Sequence, residues 1–325
     1  MALKSTAPRI NVLLTVLIVL LLLIAFISTF LNRLKEAELQ TNHLEPRYML
    51  CIPQAGIFDK MNIIYKCVQY AKKYNRVLII DTTDDWFNDD INDYIQIHSP
   101  HVYTGTADSI THKISDLSIY PPTINIEKLQ NITLKIEKQY HYYQNNIDLT
   151  IDLKKDYKER VIVYSDLGGG YGPVDLLEIS SFSPMVLDVY KSRRKQLPKK
   201  YIGIHIRNTD HKSDVPKFID TYKTALVGHI IFLASDNKNT IDEFKKLYGK
   251  NIITFANIVD NGGKPIHDGY YRTKEESKEY NIDTFVDILL LATATEYYYS
   301  SETSWFSKNV AKLRTKPDLV MRLTK

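Results

Sequence analysis

The sequence predicts an α/β protein in which an N-terminal transmembrane helix precedes two lobes of alternating strands and helices. Three observations predict this. Residues 10–31 carry no charge, and 18 of those 22 are apolar. From Tyr48 onward, short apolar runs of strand length alternate with longer runs at helical spacing, the pattern of parallel sheets covered by helices. The alternation resumes at Tyr201 and continues to the C-terminus. Of the 325 residues, 44% are apolar and 25% charged, a globular balance that excludes a polytopic membrane protein and a disordered chain. Lys4 and Arg9 are among the 42 basic residues and precede the apolar run, so the remainder is nearly neutral against 38 acidic residues. That balance argues against a charge-driven nucleic-acid binder.

At about 1.5 Å per residue, 22 helical residues reach about 33 Å, the thickness of a bilayer's hydrocarbon core. A cleaved signal peptide has a shorter core, about 7 to 15 residues, and a small-residue cleavage site. Here Phe26, Ile27, Phe30 and Leu31 crowd the end of the run. The expectation is an uncleaved signal-anchor at 10–31, between a short tail at 1–9 and a polar stem at 32–47. Basic residues flank both sides, Lys4 and Arg9 before and Arg33 and Lys35 after, so orientation stays open. A type II arrangement, with the bulk in the lumen of the Golgi or ER, would make Asn131-Ile132-Thr133 a glycosylation acceptor. A viral or bacterial source would place the chain in another membrane. Cys51 and Cys67 either pair in an oxidising compartment or remain two buried thiols, and their spacing is not that of a metal site.

Residues 48–185 read as the first lobe. A short apolar strand at 48–52 runs into a turn at 53–56, and residues 60–74 place Ile63, Ile64, Cys67, Val68 and Ala71 at helical spacing. Residues 76–80 form a buried strand ending in Asp81. Residues 83–160 are dense in Tyr, Asn, Asp and Lys, with a Pro121-Pro122 break, and read as loops and short elements. The strand pattern resumes at 161–164 and leads into Gly168-Gly169-Gly170-Tyr171-Gly172-Pro173. A helical stretch to about Arg194 and the Lys199-Lys200 pair bridge to the second lobe, residues 186–325.

The second lobe reads as strands at 201–206, 230–234, 252–255 and 297–299, with helices at 217–227, 240–248, 282–295 and 304–313. In the first of these helices Phe218, Ile219, Tyr222, Ala225 and Leu226 share a face. Such doubly wound sheets bind ligands at the carboxyl ends of their strands. Three strand-end clusters are therefore the candidate site. In His205-Ile206-Arg207-Asn208-Thr209-Asp210, strand alternation puts His205 and Arg207 on one face, and a planar guanidinium there suits a phosphate or an ion pair with Asp210. In Ala234-Ser235-Asp236-Asn237 the carboxylate suits a base or ribose, or a turn. Ser300-Ser301-Glu302-Thr303-Ser304 leads into an apolar helix whose free N–H groups suit a phosphate, with simple capping as the alternative.

Together these clusters resemble the three motifs of the GDP-fucose-dependent fucosyltransferase superfamily, which spans α1,2, α1,6 and protein O-fucosyltransferases. IGIHIRNTD is similar to its His-x-Arg-x-x-Asp motif, IIFLASDN to its second and DILLLATATEYYYSSETSWF to its third. PQAGIFDKMNIIYKCVQYAKKYNRVLIID is similar to the head of its first lobe. The resemblance implies two facing Rossmann-like lobes in the GT-B arrangement, an acceptor-side first lobe and a donor-side second lobe. It further implies GDP-fucose as donor substrate, a glycan or protein hydroxyl as acceptor, and no metal or other cofactor. By matching positions, Arg207 meets the donor pyrophosphate, His205 and Asp210 shape its loop, Asp287 lies near the guanine, and Ser300, Ser301 and Ser304 meet the phosphate. Gly56 matches the turn where backbone approaches the donor. The sequence departs from the pattern at Asn208, where α1,2 and α1,6 members carry a second arginine, and at Asp59-Lys60, where many carry Gly-Asn-Gln.

The implied chemistry is inverting transfer, with Arg207 and the helix start at Ser304 stabilising the leaving diphosphate. Asp214 and His211, in the loop after Arg207, are the candidate bases. Three alternatives stand beside this reading: another nucleotide sugar; a metal-dependent GT-A enzyme using Asp81, Asp84 and Asp85, which form no Asp-x-Asp triplet; and an inactive glycan-binding or structural membrane protein.

Overall fold

Two sets of short apolar strands, each interleaved with helices, build two wholly parallel sheets. The computed structural model describes residues 27–28, 45–83, 87–122, 124, 135–136, 142–144, 147–210, 212–260 and 273–325. Arg47–Lys325 form one unit. In chain order its elements are β1 (Tyr48–Pro53), α1 (Ile57–Tyr74), β2 (Val77–Ile80), β3 (Ile95–Ile97), α2 (Ala107–Ile114), β4 (Ile119–Tyr120), β5 (Lys135–Ile136), β6 (Tyr142–Gln144), β7 (Ile147–Asp148), β8 (Val161–Asp166), α3 (Gly172–Glu178), β9 (Ser180–Phe182) and α4 (Pro184–Arg194). There follow β10 (Ile202–Ile206), α5 (Val215–Leu226), β11 (Ile231–Ser235), α6 (Lys238–Tyr248), β12 (Ile252–Ile253), α7 (Lys274–Thr293), β13 (Glu296–Tyr299), α8 (Trp305–Arg314) and α9 (Pro317–Leu323).

The first sheet has the order β2-β1-β8-β4, with Tyr48 opposite Val77 on one side and Val161 on the other. The second has the order β12-β11-β10-β13, the third-second-first-fourth order of a Rossmann half. The direction in which successive strands are added reverses between β1 and β8 in one sheet and between β10 and β13 in the other. Those reversals open the crevices where such sheets take ligands.

Both sheets are buried on two faces, which explains why their strands read as continuous apolar runs. Met49 and Cys51 of β1 point into the main core, while Leu50 and Ile52 point into a second core against α2. Ile202, Ile204 and Ile206 of β10 pack with Val215 and Phe218 of α5 and Phe244 of α6 in a third. The main core runs through both lobes. Its bridge is α7, whose Phe285 is fully buried with its ring centroid 5.6 Å from Tyr94 and 5.7 Å from Phe182 of the first lobe. Asn281 Nδ2 of α7 also donates to the Phe87 carbonyl at 2.8 Å.

Several elements differ from the sequence reading. α7 begins at Lys274 rather than near 282, because Thr273 and Glu276 form a reciprocal capping box that starts a helix through two charged turns. α1 begins one turn early, at Ile57, and brings Asp59 into its first turn. α9 follows α8 and packs with it against the first lobe, so the chain's end returns across the lobes. Within 83–160, β4 extends the first sheet beside β8, and β3 pairs antiparallel with β9. Arg76 precedes β2 instead of joining it, and its buried guanidinium donates to Asp156 Oδ1 at 3.0 Å and to the Tyr48 and Glu159 carbonyls. Cys51 and Cys67 are buried free thiols in contact, Sγ to Sγ 3.0 Å. Of the expected anchor at 10–31, only Ile27 and Ser28 are described. The rest of that segment, Asn131, Asp84 and Asp85 lie outside the described residues. Among the described residues no helix is long and apolar enough to cross a membrane.

A core shared by both lobes has a measurable consequence. Phe285→Ala is expected to cost about 3–5 kcal/mol, and residues 47–325 to unfold in one transition in denaturant followed by circular dichroism. A loss under about 1 kcal/mol, or two resolved transitions, would contradict a common core.

Candidate active site

The reversal points of both sheets open onto one cavity of about 690 Å³, a size that suits a small-molecule or cofactor ligand. Its first-lobe wall is the turn after β1, at Gly56, and the loop after β8, at Gly168 and Gly169. The glycines are there for close approach. A Cβ on Gly169 would lie 2.4 Å from Trp305 Nε1, and one on Gly168 would lie 2.8 Å from the Asp59 carbonyl oxygen. Asn62 clamps the loop by donating to the Gly169 carbonyl at 2.9 Å and accepting from Gly172 N–H at 3.2 Å. Asn309 of α8 donates to the Gly170 carbonyl at 3.0 Å.

The second-lobe wall is built by the ends of β10 and β11 and the start of α8. Arg207 follows β10, and its Nε and Nη2 bind Asp210 at 3.0 and 2.8 Å. That pair ties the loop and leaves Nη1 without a partner among the described residues. Asp236, after β11, accepts from Asn208 N–H at 2.7 Å and from Thr209 Oγ1 at 2.6 Å, so both its oxygens hold the Arg207 loop while the residue lines the cavity. Asn208 faces away from the cavity and bridges to Thr240 and Ser213. Ser304 caps α8, its Oγ accepting from Ser307 N–H at 3.4 Å, and the first-turn amides of Trp305 and Phe306 head the helix at the cavity wall.

An aromatic column closes the floor. His205 stacks on Phe306 with centroids 4.5 Å apart and planes at 26°, and Phe306 meets Phe58 of α1 edge-on at 5.2 Å. His205 Nδ1 lies 2.7 Å from Ser307 Oγ. Burial, helped by the charge of Arg207, pushes the imidazole down to about 3, so it is neutral at ordinary pH. Asp287 of α7 also lines the cavity and is buried, with Oδ1 lacking a hydrogen-bond partner among the described residues. Burial first, and the charge of Asp283 second, raise its carboxyl well above the usual range, while Arg193 opposes them. Asp283 itself is ion-paired with Arg193 of α4.

The structure thus gathers Gly56, His205, Arg207, Asp210, Asp236, Asp287 and Ser304 around one cavity. Ser300 and Ser301 lie behind it. Ser300 Oγ accepts from Arg207 N–H at 3.3 Å and contacts Ser213 Oγ at 2.7 Å, and Ser301 Oγ contacts Thr303 Oγ1 at 2.9 Å. They shape the turn, and Thr303 and Ser304 take the wall positions expected of them. Asp214 is exposed and caps α5 by accepting from Lys217 N–H at 3.0 Å, outside the cavity lining. His211 lies outside the described residues. Asp283 and Tyr280 also line the cavity and were not singled out from the sequence, and starting the helix at Lys60 left Asp59 only as a departure from Gly-Asn-Gln and hid its place in the wall. Burial lifts its carboxyl to about 7, against the opposing charges of Arg207 and Lys60. Among the described residues no three acidic, histidine or cysteine side chains cluster as a metal site.

No protein-family model matches the chain, and no curated protein matches it. Solved structures do. The fucosyltransferase NodZ from Bradyrhizobium superposes with a TM-score of 0.58 at 14% identity, over 83% of this chain and 94% of its own. NodZ alpha-1,6-fucosyltransferase soaked with GDP-fucose gives 0.55 at 15% identity, over 83% and 92%. POFUT1 in its apo form gives 0.50 at 13%, over 84% and 97%. The chain has the NodZ fold. At these identities the likeness establishes architecture, and within that fold the reversal points of both sheets carry the polar groups described above.

A buried neutral His205 has a pH signature. Its folded value lies below the unfolded 6.5, so its contribution to stability is complete above pH 6.5 and is lost as pH falls toward 3, where the folded state at last takes the proton. Relative to His205→Gln, the wild type is expected to lose up to about 1.4 kcal/mol more per pH unit between 6 and 4 in urea titrations. Parallel slopes would show a solvated imidazole.

Proposed function

We propose that the chain is a membrane-anchored glycosyltransferase of GT-B arrangement that transfers fucose, with inversion, from GDP-fucose to a glycan or protein hydroxyl. The observation that carries the reading is Asp287, a buried cavity carboxylate with an unused acceptor. A buried acceptor left unpaired costs about 1–3 kcal/mol, which a ligand's donors recover. Guanine offers two adjacent donors, N1–H and the 2-amino group, to one carboxylate. Uracil offers a single N–H between two carbonyls, which a carboxylate repels. Ala256, Ile258 and Tyr280 line the cavity with Asp287 and supply the less polar surroundings a base needs. The NodZ fold, solved elsewhere with GDP-fucose, supports the same donor.

The diphosphate has a counterpart too. Arg207 presents its free Nη1, and the head of α8 presents the Trp305 and Phe306 amides beside the Ser304 cap. As the acceptor oxygen attacks the anomeric carbon, the bond from that carbon to the phosphate oxygen breaks and negative charge gathers on the leaving diphosphate. Fixed donors at that charge stabilise the transition state more than the bound substrate, which is the condition for catalysis. In this reading no metal is required, because Arg207 and the helix dipole supply the positive charge. The anchor at 10–31 and a lumenal catalytic part, with Asn131 as its glycosylation site, belong to the same proposal and are supported by the uncharged 22-residue run.

GDP and GDP-fucose are expected to raise the melting temperature, and UDP to leave it unchanged. Stabilisation by UDP alone would reject the guanine reading and favour another nucleotide sugar, and no response to any nucleotide would favour a non-enzymatic protein. Arg207→Ala is expected to slow release of fucose from GDP-fucose by about a hundredfold or more, and turnover near the wild-type rate would remove Arg207 from the mechanism.

A further inference from the structure

We propose that Asp59 is the catalytic base that takes the proton from the attacking hydroxyl. The inference rests on the transferase reading and adds a residue to it. Position is the first ground. Asp59 lies in the first turn of α1 and lines, from the first lobe, the same cavity that Arg207 and the head of α8 line from the second, within reach of the Arg207 charge.

Elimination is the second ground. The other acidic or basic groups of the cavity are engaged by other side chains or set apart from Arg207 in the proposed base site. Asp210 holds Arg207, Asp236 accepts from Asn208 and Thr209, and Asp283 holds Arg193. Asp287 sits at the base-binding end, and His205 is buried in the floor with Nδ1 on Ser307. Asp59 takes its hydrogen bonds from backbone N–H groups of its own turn, those of Gly56 and Asp59.

Its electrostatics fit the task. Burial holds the carboxyl at about 7, poised to gain and lose a proton near neutrality. The charged neighbours are accounted for from each packed element. On α1, Lys60 donates to the Pro53 carbonyl at 2.7 Å. From β10 comes Arg207 with Asp210, and both cations lower Asp59. From β11 comes Asp236, and at the end of β8 Asp166 is engaged by Tyr164 and the Leu167 amide. A bound diphosphate offsets Arg207 and thereby raises the basicity of Asp59 as the donor arrives. In the step, the acceptor oxygen bonds to the anomeric carbon, its proton passes to an Asp59 carboxylate oxygen, and the electron pair of the broken bond leaves with the diphosphate.

The test uses the full-length protein and water as acceptor, reading release of fucose from GDP-fucose. In wild type kcat rises with pH to a plateau, with an apparent midpoint above 7 because the bound diphosphate offsets Arg207. Asp59→Asn is expected to lose about a hundredfold in kcat and the rising limb with it, while GDP still raises its melting temperature as in wild type. Asp59→Glu is expected to retain the limb with a shifted midpoint. If Asp59→Asn binds GDP and turns over within about fivefold of wild type, or keeps the limb, Asp59 is not the base and the transferase reading survives. If wild type neither binds GDP nor releases fucose, the transferase reading fails and Asp59 with it.

Discussion

Phe306 sits between the ring of Phe58 and the imidazole of His205, and the rest of the site depends on that column. Phe58 belongs to the first turn of α1, Phe306 to the first turn of α8, and His205 to the end of β10 just before Arg207. One packed stack therefore fixes the three elements that carry Asp59, the phosphate-facing amides and the guanidinium. The packing is dry, and it keeps His205 neutral. A charged imidazole there would set a second cation under Arg207 and leave Nδ1 able only to donate to Ser307. The glycines of the β8 loop complete the arrangement, because only their missing side chains let the loop reach Trp305.

The cavity divides by charge. Around Arg207 and the head of α8 it offers donors and positive potential, and around Asp283 and Asp287 it offers acceptors in low-dielectric surroundings. Low dielectric magnifies both, and it magnifies equally the cost of leaving either end unpaired. A nucleoside diphosphate carries the complementary order, donors on the base and negative charge on the phosphates. Asp287 is held by α7, the helix that bridges the lobes.

Much of this was legible in the sequence because it obeys short-range rules. Apolar runs at 48–52 and 201–206 became central strands because both faces of each sheet are covered, and His205 and Arg207 fell on one face by strand alternation. The second-lobe cavity residues came from matching three strand-end clusters to the motifs that they resemble. What stayed hidden depends on contacts distant in sequence. Charged residues 274–281 gave no helical face, yet a capping box and the packing of α4 make them helix. Asp59 was hidden by a one-turn error in the start of α1. Ser300 and Ser301 were read as ligands because hydroxyls near a helix start resemble one another in sequence, and only the fold turns Ser300 toward the Arg207 backbone. Asp236 is both a wall and a brace, a double role that spacing cannot reveal.

The central claim is that Asp287 reads a guanine base in this cavity. Calorimetric titration with GDP and with inosine diphosphate, which differ only by the 2-amino group, tests it most directly. A hydrogen bond is worth about 0.5–1.5 kcal/mol, so GDP is expected to bind about twofold to tenfold more tightly, and that preference to vanish in Asp287→Ala. Equal affinity for the two nucleotides in the wild type would contradict the account.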